Sequence, residues 1–556
     1  MEKRLLLAAA LSLAVLILWE WVLPRPARRP AAVPALPRPT AAAPAATPAA
    51  EPAPAAPLPA PERATEERVT TLENDYVRAT FSNRGAVLTS FLLLRHRDEK
   101  GRPLELVAPV PAEAGRPLAL DFGREAATTQ RARTALFLIE KASDRAVRLR
   151  FADERLAITK QIRLSSGYLF DLEVSVSGPP YRVLLGPGLR NPTEAERSSS
   201  YVMPTTAVAT VGGGLERVRA DKAEQLLAKA NREGREAPLS WEIAPSGFAG
   251  VEDNYFLAVL LPRAAATAKV EPRTVKDPSG KPRAEVAVGV SGEGGFAARA
   301  YFGPKDVAIL EALGLGLERT VDFGWFGIVA RPLLWLLKKT HGWVGNYGVA
   351  ILVVTFLIRL LLFPLMHKSY ISMKKMQKLA PKMNAIRDKY KKAKTDAAQR
   401  QKMNQELMAP YQAEGYNPMS GCFPIVLQLP VLVAFYNVLS RSIELRHAPF
   451  VLWIKDLSAI DHTYVLVILM IVSMYAQQAM TPSTLDPTQK KIFMFMPLLW
   501  GFFLKNMPSG LVLYWLFSNV LTILQQVLIN RMGGKDAGDQ GKPGRSKPGK
   551  MKPARA

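Results

Sequence analysis

The chain has 556 residues, a formal net charge of +25 and a hydrophobic content of 48%. A composition that is both basic and apolar argues against a soluble globular protein and indicates a membrane protein whose charge lies in a few segments. The single cysteine, Cys422, excludes an internal disulfide framework and a cysteine-based zinc site. Five scattered histidines argue against a metal cluster, and the chain has no G-x-x-x-x-G-K-[ST] loop for nucleotide phosphates, so no cofactor is expected.

The first apolar run covers residues 5–23 and follows Lys3 and Arg4. It predicts a retained transmembrane helix, because it exceeds the usual length of a signal-peptide core and no small-x-small cleavage site follows closely. A cleaved signal peptide is the alternative. The next segment, 24–61, is almost entirely Pro and Ala and is expected to form an extended tether.

From about residue 69 to residue 303, apolar residues alternate with polar ones, as in 147–151. This period of two is typical of β-strands, and strand after strand without helical spacers predicts an antiparallel sandwich. One helix, at about 221–232, is expected to interrupt it. The sandwich is interpreted either as a partner-binding scaffold or as a folded spacer. A sugar-active enzyme is disfavoured, because His96 is its only histidine and no acid–base pair is evident.

Residues 321–345 combine aromatic side chains with the cations Arg331, Lys338 and Lys339. Apolar and cationic residues recur at roughly helical spacing, which predicts an amphipathic helix lying in the membrane interface. A buried helix of the sandwich is the alternative.

Five more apolar spans follow, and the segments that connect them differ sharply in charge. The loop 367–420 carries twelve Lys/Arg against four Asp/Glu, and the tail from Arg531 carries eight against two. Because four spans separate them, loop and tail share a side, and the positive-inside rule makes that side cytoplasmic. Both termini are then cytoplasmic, and the β domain lies outside. The spans cover about 348–366, 421–440, 464–480, 492–504 and 511–530.

Arg359 lies in an otherwise apolar stretch of the first of these spans. It is about 13 Å along the helix from Lys368 at the cytoplasmic end, close to the middle of a hydrocarbon core of about 30 Å. A guanidinium reaches only about 6 Å along its own stem, so snorkelling does not bring it to the interface. Such an arginine usually faces a bundle interior or a wet cavity. No acidic residue in the five spans could pair with it, so its counter-charge is expected to arrive on a substrate.

Polar side chains of the other spans lie at a similar depth, mostly in the cytoplasmic half. This distribution predicts a hydrated groove that opens to the cytoplasm and is closed outside, whereas a channel would need polar residues through the full thickness. Taken singly, each residue is first a candidate for packing between helices. The candidate groove residues are Arg359, Thr355, Gln428, Asn519, Thr522 and Gln525, with Gln477, Gln478, Ser518 and Gln526 at comparable depth.

The span 492–504 is short and rich in Met and Phe. It extends only about 20 Å, which favours local bilayer thinning or inclusion of flanking residues. Its deformable apolar face suits many apolar partners, and ordinary bundle packing explains it equally well. The candidate slide for an apolar substrate comprises Met494, Phe495 and Phe502 of this span and Leu427 and Phe435 of the span 421–440.

The cytoplasmic loop has apolar residues spaced by three or four, from Met373 to Tyr390 and again at Met403 and Leu407. This spacing predicts two amphipathic helices in a hairpin with lysines outward. The basic face, like the tail 533–556, could bind anionic lipid or dock on ribosomal RNA. The candidate contact residues are Lys374, Lys375, Lys378, Lys391, Lys392, Lys394, Lys547, Lys550 and Lys552.

The segment 345–530 closely resembles the YidC/Oxa/Alb membrane insertases. The long β domain and the first helix look like the Gram-negative YidC form. The resemblance implies six spans, a periplasmic β-supersandwich, and insertion of small membrane proteins alone or beside the Sec translocon. The matching blocks are 355–359 (TFLIR), 416–424 (YNPMSGCFP), 445–450 (LRHAPF) and 508–514 (PSGLVLY).

The same resemblance assigns roles to particular residues. The family's groove arginine falls on Arg359 and its nearby threonine on Thr355. The aromatic pair of the last span, two tyrosines in the family, falls on Tyr514 and Trp515. Both aromatic residues join the candidate groove on this ground.

We therefore expect a polytopic α-helical membrane protein with six transmembrane helices and a large periplasmic all-β sandwich. Its expected function is insertion and folding of inner-membrane proteins without enzymatic chemistry. The expected partners are nascent membrane proteins, the Sec translocon, the ribosome and anionic lipids. An anion transporter and an envelope assembly scaffold are the alternatives. The expected segments are a transmembrane helix (1–23), a linker (24–64), the β domain (65–318), an interfacial helix (319–345), a five-helix core (346–530) with its hairpin (367–418), and a basic tail (531–556).

Overall fold

The computed structural model describes residues 63–98, 100–108, 115–189, 205–235, 237–276, 282–291, 295–390, 397–413, 423–481 and 487–537. The predicted first helix, all but the end of the predicted linker, and the tail beyond Ala537 lie outside these residues.

The alternating residues of the first half form eighteen β-strands within the described part of the chain. Every pair of neighbouring strands is antiparallel, as predicted. The strands are β1 (Val69–Glu73), β2 (Val77–Ser82), β3 (Val87–Arg97), β4 (Pro103–Glu105), β5 (Leu120–Asp121), β6 (Leu138–Ser143), β7 (Ala146–Ala152), β8 (Ala157–Leu164), β9 (Leu169–Ser177), β10 (Arg182–Leu185), β11 (Thr206–Val211), β12 (Gly214–Arg219), β13 (Ser240–Ile243), β14 (Ala249–Glu252), β15 (Phe256–Pro262), β16 (Ala266–Lys276), β17 (Pro282–Ser291) and β18 (Gly295–Pro304).

The strands form three sheets that bury a common apolar core. Their orders are β1-β2-β3-β4, β13-β16-β17-β10-β5 and β12-β11-β14-β15-β18-β9-β8-β7-β6. Phe91 of the four-stranded sheet lies with its ring centroid 6.2 Å from Phe170 and 5.5 Å from Phe302, both in the nine-stranded sheet. Strands such as β7 and β9 bury every second residue, and β15 is buried along its whole length, so the sheets pack face to face. The predicted antiparallel sandwich is confirmed.

Eleven α-helices lie within the described residues. The helix predicted at 221–232 is confirmed as α2, which ends at Gly234 in the left-handed conformation. The short polar helix α1 was not predicted, because its sequence has almost no apolar periodicity. The helices are α1 (Ala126–Thr134), α2 (Ala220–Glu233), α3 (Val307–Leu313), α4 (Gly327–Val344), α5 (Tyr347–Lys378), α6 (Ala380–Lys389), α7 (Ala397–Ala413), α8 (Phe423–Arg441), α9 (Val465–Met480), α10 (Pro487–Leu504) and α11 (Ser509–Ala537).

Helix α4 has the two faces that its sequence predicts. Leu333 and Leu337 are buried, whereas Trp335 and Trp343 are largely exposed. The Lys339 ammonium lies 5.0 Å from the Trp335 ring centroid and 5.9 Å from that of Trp343. An exposed face of tryptophan and lysine suits the boundary between headgroups and acyl chains.

Helices α5, α8, α9, α10 and α11 coincide with the five predicted apolar spans. Among the described residues, two helical segments, Tyr347–Lys378 and Ser509–Arg531, are long and apolar enough to cross a membrane, and a shorter apolar helix covers Val465–Met480. Helix α10 begins at Pro487, so the 13-residue span is part of an 18-residue helix. The structure therefore favours inclusion of flanking residues over bilayer thinning. The count of six spans stays a prediction.

The predicted cytoplasmic hairpin is divided differently from the prediction. Helix α5 continues without a break to Lys378, and Leu379 separates it from α6, which has a proline in its first turn. Buried Met376, Leu379 and Met383 form a small core, against which Leu407 of α7 packs. The single helix expected from Met373 to Tyr390 is therefore two helices joined by an apolar corner.

The β domain is attached to the helices by direct hydrogen bonds. Asn254 Nδ2 donates to the Ser440 carbonyl over 2.9 Å, and Asn437 Nδ2 donates to the Phe323 carbonyl over 2.9 Å. Arg441 also donates to the Asp322 carbonyl. These contacts hold the end of α8 beside the segment that leads into α4, and so fix the helix that carries Gln428.

Candidate functional site

Arg359 lies in the middle of α5 and points into the helix bundle. Its Nε donates to Ser518 Oγ over 3.0 Å, and its Nη2 donates to Gln428 Oε1 over 3.0 Å and also to Ser518 Oγ. Ser518 belongs to α11 and Gln428 to α8. Three helices therefore supply the charge and its first neighbours.

The partners of Arg359 are neutral. Among the described residues, no carboxylate lies within ion-pair distance of its guanidinium. A buried cation that keeps its charge needs hydrogen bonds, and neutral acceptors satisfy this need less well than a carboxylate does. A negatively charged ligand would therefore stabilise the buried guanidinium more than a neutral ligand would.

A small cavity of about 10 Å³, which is space for one water molecule, lies beside the guanidinium. Its lining includes residues of α5 from Thr355 to Met366, towards the helix end predicted to be cytoplasmic. Thr355 is buried, and its hydroxyl donates to the Ile351 carbonyl of its own helix over 2.6 Å. The cavity is lined by Thr355, Ile358, Arg359, Leu362, Met366, Gln428, Val431 and Tyr514.

On the side of the β domain, tight packing replaces the cavity. The rings of Tyr514 and Phe435 are stacked with centroids 4.2 Å apart, and both side chains are buried. One turn nearer the start of α11, a Cβ on Gly510 would lie only 2.8 Å from Leu439 Cδ2. A larger residue at position 510 would have to displace the end of the Leu439 side chain, so glycine favours the close approach of α11 to α8 on this side of Arg359.

The other predicted groove residues of α11 do not gather around Arg359. Asn519 Nδ2 donates to Ser473 Oγ of α9 over 2.9 Å. The Thr522 hydroxyl donates to the Ser518 carbonyl of its own helix over 2.9 Å. Within the described part of the chain, Gln525 Nε2 is buried without a hydrogen-bond partner. The structure thus brings together Arg359, Gln428, Thr355 and Tyr514, and it turns Asn519 towards a different helix.

Ser518 is the site residue that the sequence-based selection missed. It is fully buried and contacts both Arg359 and Gln428, whose Nε2 lies 3.1 Å from Ser518 Oγ. Helical spacing was an available signal, because Tyr514, Ser518 and Thr522 are four residues apart and share one face. Depth alone could not separate this face from the one that carries Asn519.

The residues of the predicted apolar slide differ in their exposure. Met494, Phe495 and Phe502 are exposed at 51%, 68% and 62%, as expected of side chains that face acyl chains. Leu427 is half-buried. Phe435 is fully buried against Tyr514, so its assignment to an exposed slide is wrong.

Trp515 also lies elsewhere than predicted. Its ring packs on that of Trp500 of α10, with centroids 5.2 Å apart, and it does not line the cavity at Arg359. Adjacent residues of a helix point about 100° apart, so Tyr514 and Trp515 cannot both face the same cavity.

Three of the predicted basic contact residues lie near the start of the hairpin. Lys375 and Lys378 are exposed, whereas Lys374 Nζ donates to Asn530 Oδ1 of α11 over 3.2 Å. Lys374 is therefore partly engaged within the bundle. The remaining candidates, Lys391, Lys392, Lys394, Lys547, Lys550 and Lys552, lie outside the described residues.

Two protein families match the chain over adjoining segments. The family described as the 60Kd inner membrane protein matches residues 339–536, and the family described as the YidC periplasmic domain matches residues 69–336. The boundary between the matches falls within α4.

Curated relatives match over nearly the whole length. A protein named membrane protein insertase YidC from Citrifermentans bemidjiense is 36% identical over 565 residues, covering 96% of this chain and 99% of the relative. One of the same name from Syntrophus aciditrophicus is 35% identical, covering 96% and 100%. A solved structure described as an active YidC insertase with its first transmembrane domain resolved is 18% identical, with a TM-score of 0.36, and covers 84% of this chain and 94% of that one.

Proposed function

This chain belongs to the YidC family of membrane protein insertases, and we propose that it inserts hydrophobic segments of nascent inner-membrane proteins through the cavity beside Arg359. The observation that carries this proposal is a buried cation whose hydrogen-bond acceptors, among the described residues, are neutral and come from two other helices. The energy for insertion comes from burial of apolar side chains in lipid, and no nucleotide is required.

The first step is capture of the polar end of the substrate. An acidic or polar flank enters between α5, α8 and α11 and replaces Ser518 or Gln428 as a partner of Arg359. A carboxylate is a stronger acceptor than a hydroxyl or an amide, especially where little water screens the charge. The flank is therefore held part of the way across the membrane while the apolar segment remains beside the bundle.

The second step is transfer of the apolar segment to lipid. Exposed Met494, Phe495 and Phe502 of α10 and half-buried Leu427 of α8 provide an apolar path along the outside of the bundle. Leu, Ile, Phe and Val each favour the membrane centre by about 0.3–0.6 kcal/mol, so a whole segment gains enough to leave Arg359. The flank then completes its crossing as the segment settles between the leaflets.

The proposed topology follows the charge distribution. Six helices span the inner membrane, both termini are cytoplasmic, and the β domain is periplasmic. The basic hairpin and tail attract anionic lipid or ribosomal RNA at the cytoplasmic face, where salt would weaken either interaction. The chain acts alone or beside the Sec translocon and also assists folding of the inserted protein.

The test combines contact with a charge-specific effect. Photoreactive residues at positions 355 and 428 should crosslink to a stalled nascent membrane protein. Arg359→Met should then impair insertion of a substrate with an acidic translocated tail about tenfold more than insertion of a matched neutral one. Arg359→Lys keeps the charge and should retain part of the selectivity, although it loses the forked contact with Ser518 and Gln428.

Two results would contradict the proposal. Equal impairment of acidic and neutral substrates by Arg359→Met would show that the guanidinium acts only in packing. Absence of crosslinks from both positions, with normal crosslinks from an exposed position such as 495 on α10, would place the substrate path elsewhere.

A further inference from the structure

A much larger space than the cavity at Arg359 lies between the β domain and the connection from α8 to α9. We call it the junction cleft. It encloses about 720 Å³ and is lined by Arg95 and Arg97 at the end of β3 and by Arg446, Trp453 and Lys455 of the connection. This volume falls within the range of about 300–1,000 Å³ that is usual for small-ligand sites.

The carboxylates of the junction cleft are already engaged. Asp98 Oδ2 accepts from Arg102 Nη2 over 2.8 Å, and Asp456 Oδ2 lies 2.8 Å from His447 Nδ1. Asp461 Oδ2 accepts the Leu466 N–H over 2.9 Å at the start of α9. Asp98 is paired with Arg102, whereas Asp456 and Asp461 keep their negative charges. The four cations that line the cleft, Arg95, Arg97, Arg446 and Lys455, therefore still outnumber the carboxylates that have no arginine or lysine partner.

Two arginines of the junction cleft contact uncharged groups. The Arg95 guanidinium lies 3.7 Å from the centroid of the Tyr76 ring, and Arg97 Nη1 donates to the Gly101 carbonyl over 2.7 Å. Within the described part of the chain, no carboxylate forms an ion pair with Arg95, Arg97 or Lys455. Net positive charge therefore faces the space and favours an anionic ligand.

The surroundings of the junction cleft indicate that this anion carries an apolar tail. The cleft adjoins Ser509, the first residue of the apolar helix α11, and Thr463, two residues before α9. Beside Trp453, Leu452 is exposed at 81% and Val451 at 47%. An exposed apolar loop next to cations at the start of membrane helices is suited to the boundary between headgroups and acyl chains.

We propose that the junction cleft binds the phosphate headgroup of an anionic phospholipid from the leaflet that faces the β domain. Arg97 and Lys455 approach the phosphate from opposite walls, and Val451, Leu452 and Trp453 contact the upper acyl chains. The bound lipid then bridges the β domain and the membrane helices. This site is separate from Arg359 and does not depend on substrate insertion.

The test uses the full-length protein in nanodiscs that contain a minority of phosphatidylglycerol in phosphatidylcholine. A photoreactive phenylalanine derivative replaces Trp453, and mass spectrometry identifies the lipid adducts. We expect the share of phosphatidylglycerol among the adducts to exceed its share of the bilayer by about fivefold for each cation that contacts the headgroup. Arg97→Glu combined with Lys455→Glu should abolish the enrichment, and the neutral pair Arg97→Gln and Lys455→Gln should reduce it severalfold.

Matched controls separate this site from other basic surfaces. Lys222→Glu changes the charge of an exposed residue on α2 and should leave the enrichment intact. Arg359→Met should also leave it intact, so that failure here is distinct from failure of the insertion proposal. The proposal would be overturned if the two lipids formed adducts in the same ratio as they occur in the bilayer. It would also be overturned if the enrichment of phosphatidylglycerol survived both the Glu pair and the Gln pair of substitutions at Arg97 and Lys455. Binding of inorganic phosphate that Arg97→Glu with Lys455→Glu abolishes, together with lipid adducts in the same ratio as the bilayer, would assign the cleft to free phosphate and would overturn the lipid assignment.

Discussion

Three N–H groups converge on the hydroxyl of Ser518, two from Arg359 and one from Gln428. A hydroxyl oxygen has only two lone pairs, so it cannot accept all three bonds at full strength. The three donors therefore compete for this oxygen, and Arg359 Nη2 has Gln428 Oε1 as a second acceptor. In the proposed function, this competition for one oxygen would lower the cost of exchanging Ser518 for a substrate carboxylate.

Removal of the Ser518 hydroxyl tests its role as a positioning group. Ser518→Ala should lower the free energy of unfolding by about 1–3 kcal/mol, because the buried guanidinium loses an acceptor. It should also reduce insertion of acidic substrates more than that of neutral ones. Thr522→Ala is the matched control, since its hydroxyl contacts only its own helix, and should cost less than about 0.5 kcal/mol. Chemical unfolding in micelles and an insertion assay provide the measurements, and equal losses for both variants would refute a special role for Ser518.

The sequence predicts the charged centre of the site better than its surroundings. Arg359 stands out because an arginine in an apolar span is costly wherever it points, and Gln428 lies at a matching depth. The sides that Trp515 and Phe435 face were not predictable, because they depend on how α8 and α11 rotate against their neighbours. That rotation is set by close contacts such as Gly510 on Leu439, which no local pattern reveals.

His96 should make the β domain sensitive to acid. Burial and the nearby charge of Arg446 lower the pKa of His96 from 6.5 to about 4. Between these values the unfolded chain binds a proton that the folded chain does not, so the free energy of unfolding falls as the pH falls. The loss approaches about 3 kcal/mol near pH 4.

A phenylalanine at position 96 isolates this contribution. His96→Phe can keep the ring contacts with Tyr168 and Phe256 while removing the titration. Its thermal midpoint should fall less than that of the parent protein between about pH 7 and pH 4.5. His462→Gln, at an exposed histidine, should behave like the parent. If the thermal midpoints of the parent and of His96→Phe fell equally with pH, His96 would not be the group responsible for the acid sensitivity.

At the scale of elements, the alternation of apolar and polar residues and the long apolar spans predict different amounts of structure. Alternation identifies the strands of the sandwich, but the order of the nine-stranded sheet joins strands as distant as β9 and β18. Apolar spans identify the membrane helices, but not their ends. Helix α5 continues past the apolar span into the loop because no helix-breaking residue follows His367 until Pro381, the second residue of α6.

The corner between α5 and α6 should control the order of the hairpin. Met383 is 2% exposed in the cluster with Met376 and Leu379, whereas the neighbouring Lys382 is exposed. Met383→Asp should place an unpaired charge there and raise amide hydrogen exchange in α6 and α7 by about tenfold or more. Exchange in α9 should not change.

The control for the hairpin is Lys382→Asp. It introduces the same carboxylate one residue away on the exposed face, and its exchange should match the parent. If both variants loosen α7 equally, added negative charge and not loss of the apolar corner explains the effect.

At the scale of the whole molecule, the β domain and the helices form a joint that the sequence does not predict. Its contacts link residues more than a hundred positions apart, such as Asn254 with Ser440 and Lys338 with Glu444. The polar residues involved look like ordinary surface residues in the sequence. They become distinctive only when the fold buries them between two large elements.

Lys338 connects three parts of this joint. Its Nζ lies 2.8 Å from Glu444 Oε1 in the α8–α9 connection and 3.7 Å from Asp306 Oδ1, which caps α3. The Glu444 side chain is only 9% exposed, so loss of Lys338 would leave a buried carboxylate with much weaker compensation. The Lys338 side chain itself is 35% exposed, which reduces the expected cost below that of a fully buried pair.

Lys338→Met should therefore lower the free energy of unfolding by about 1–3 kcal/mol and speed proteolysis between the β domain and α5. Lys339→Met alters the adjacent, exposed lysine and should cost less than about 1 kcal/mol, the value of an exposed cation–π contact. Adding Glu444→Gln to Lys338→Met should recover part of the loss, because the uncompensated charge is removed. Unfolding in micelles and limited proteolysis of the four proteins measure these effects. If the double variant lost as much free energy of unfolding as the two single substitutions together, Lys338 would act through packing. Its charge would then not hold the joint together.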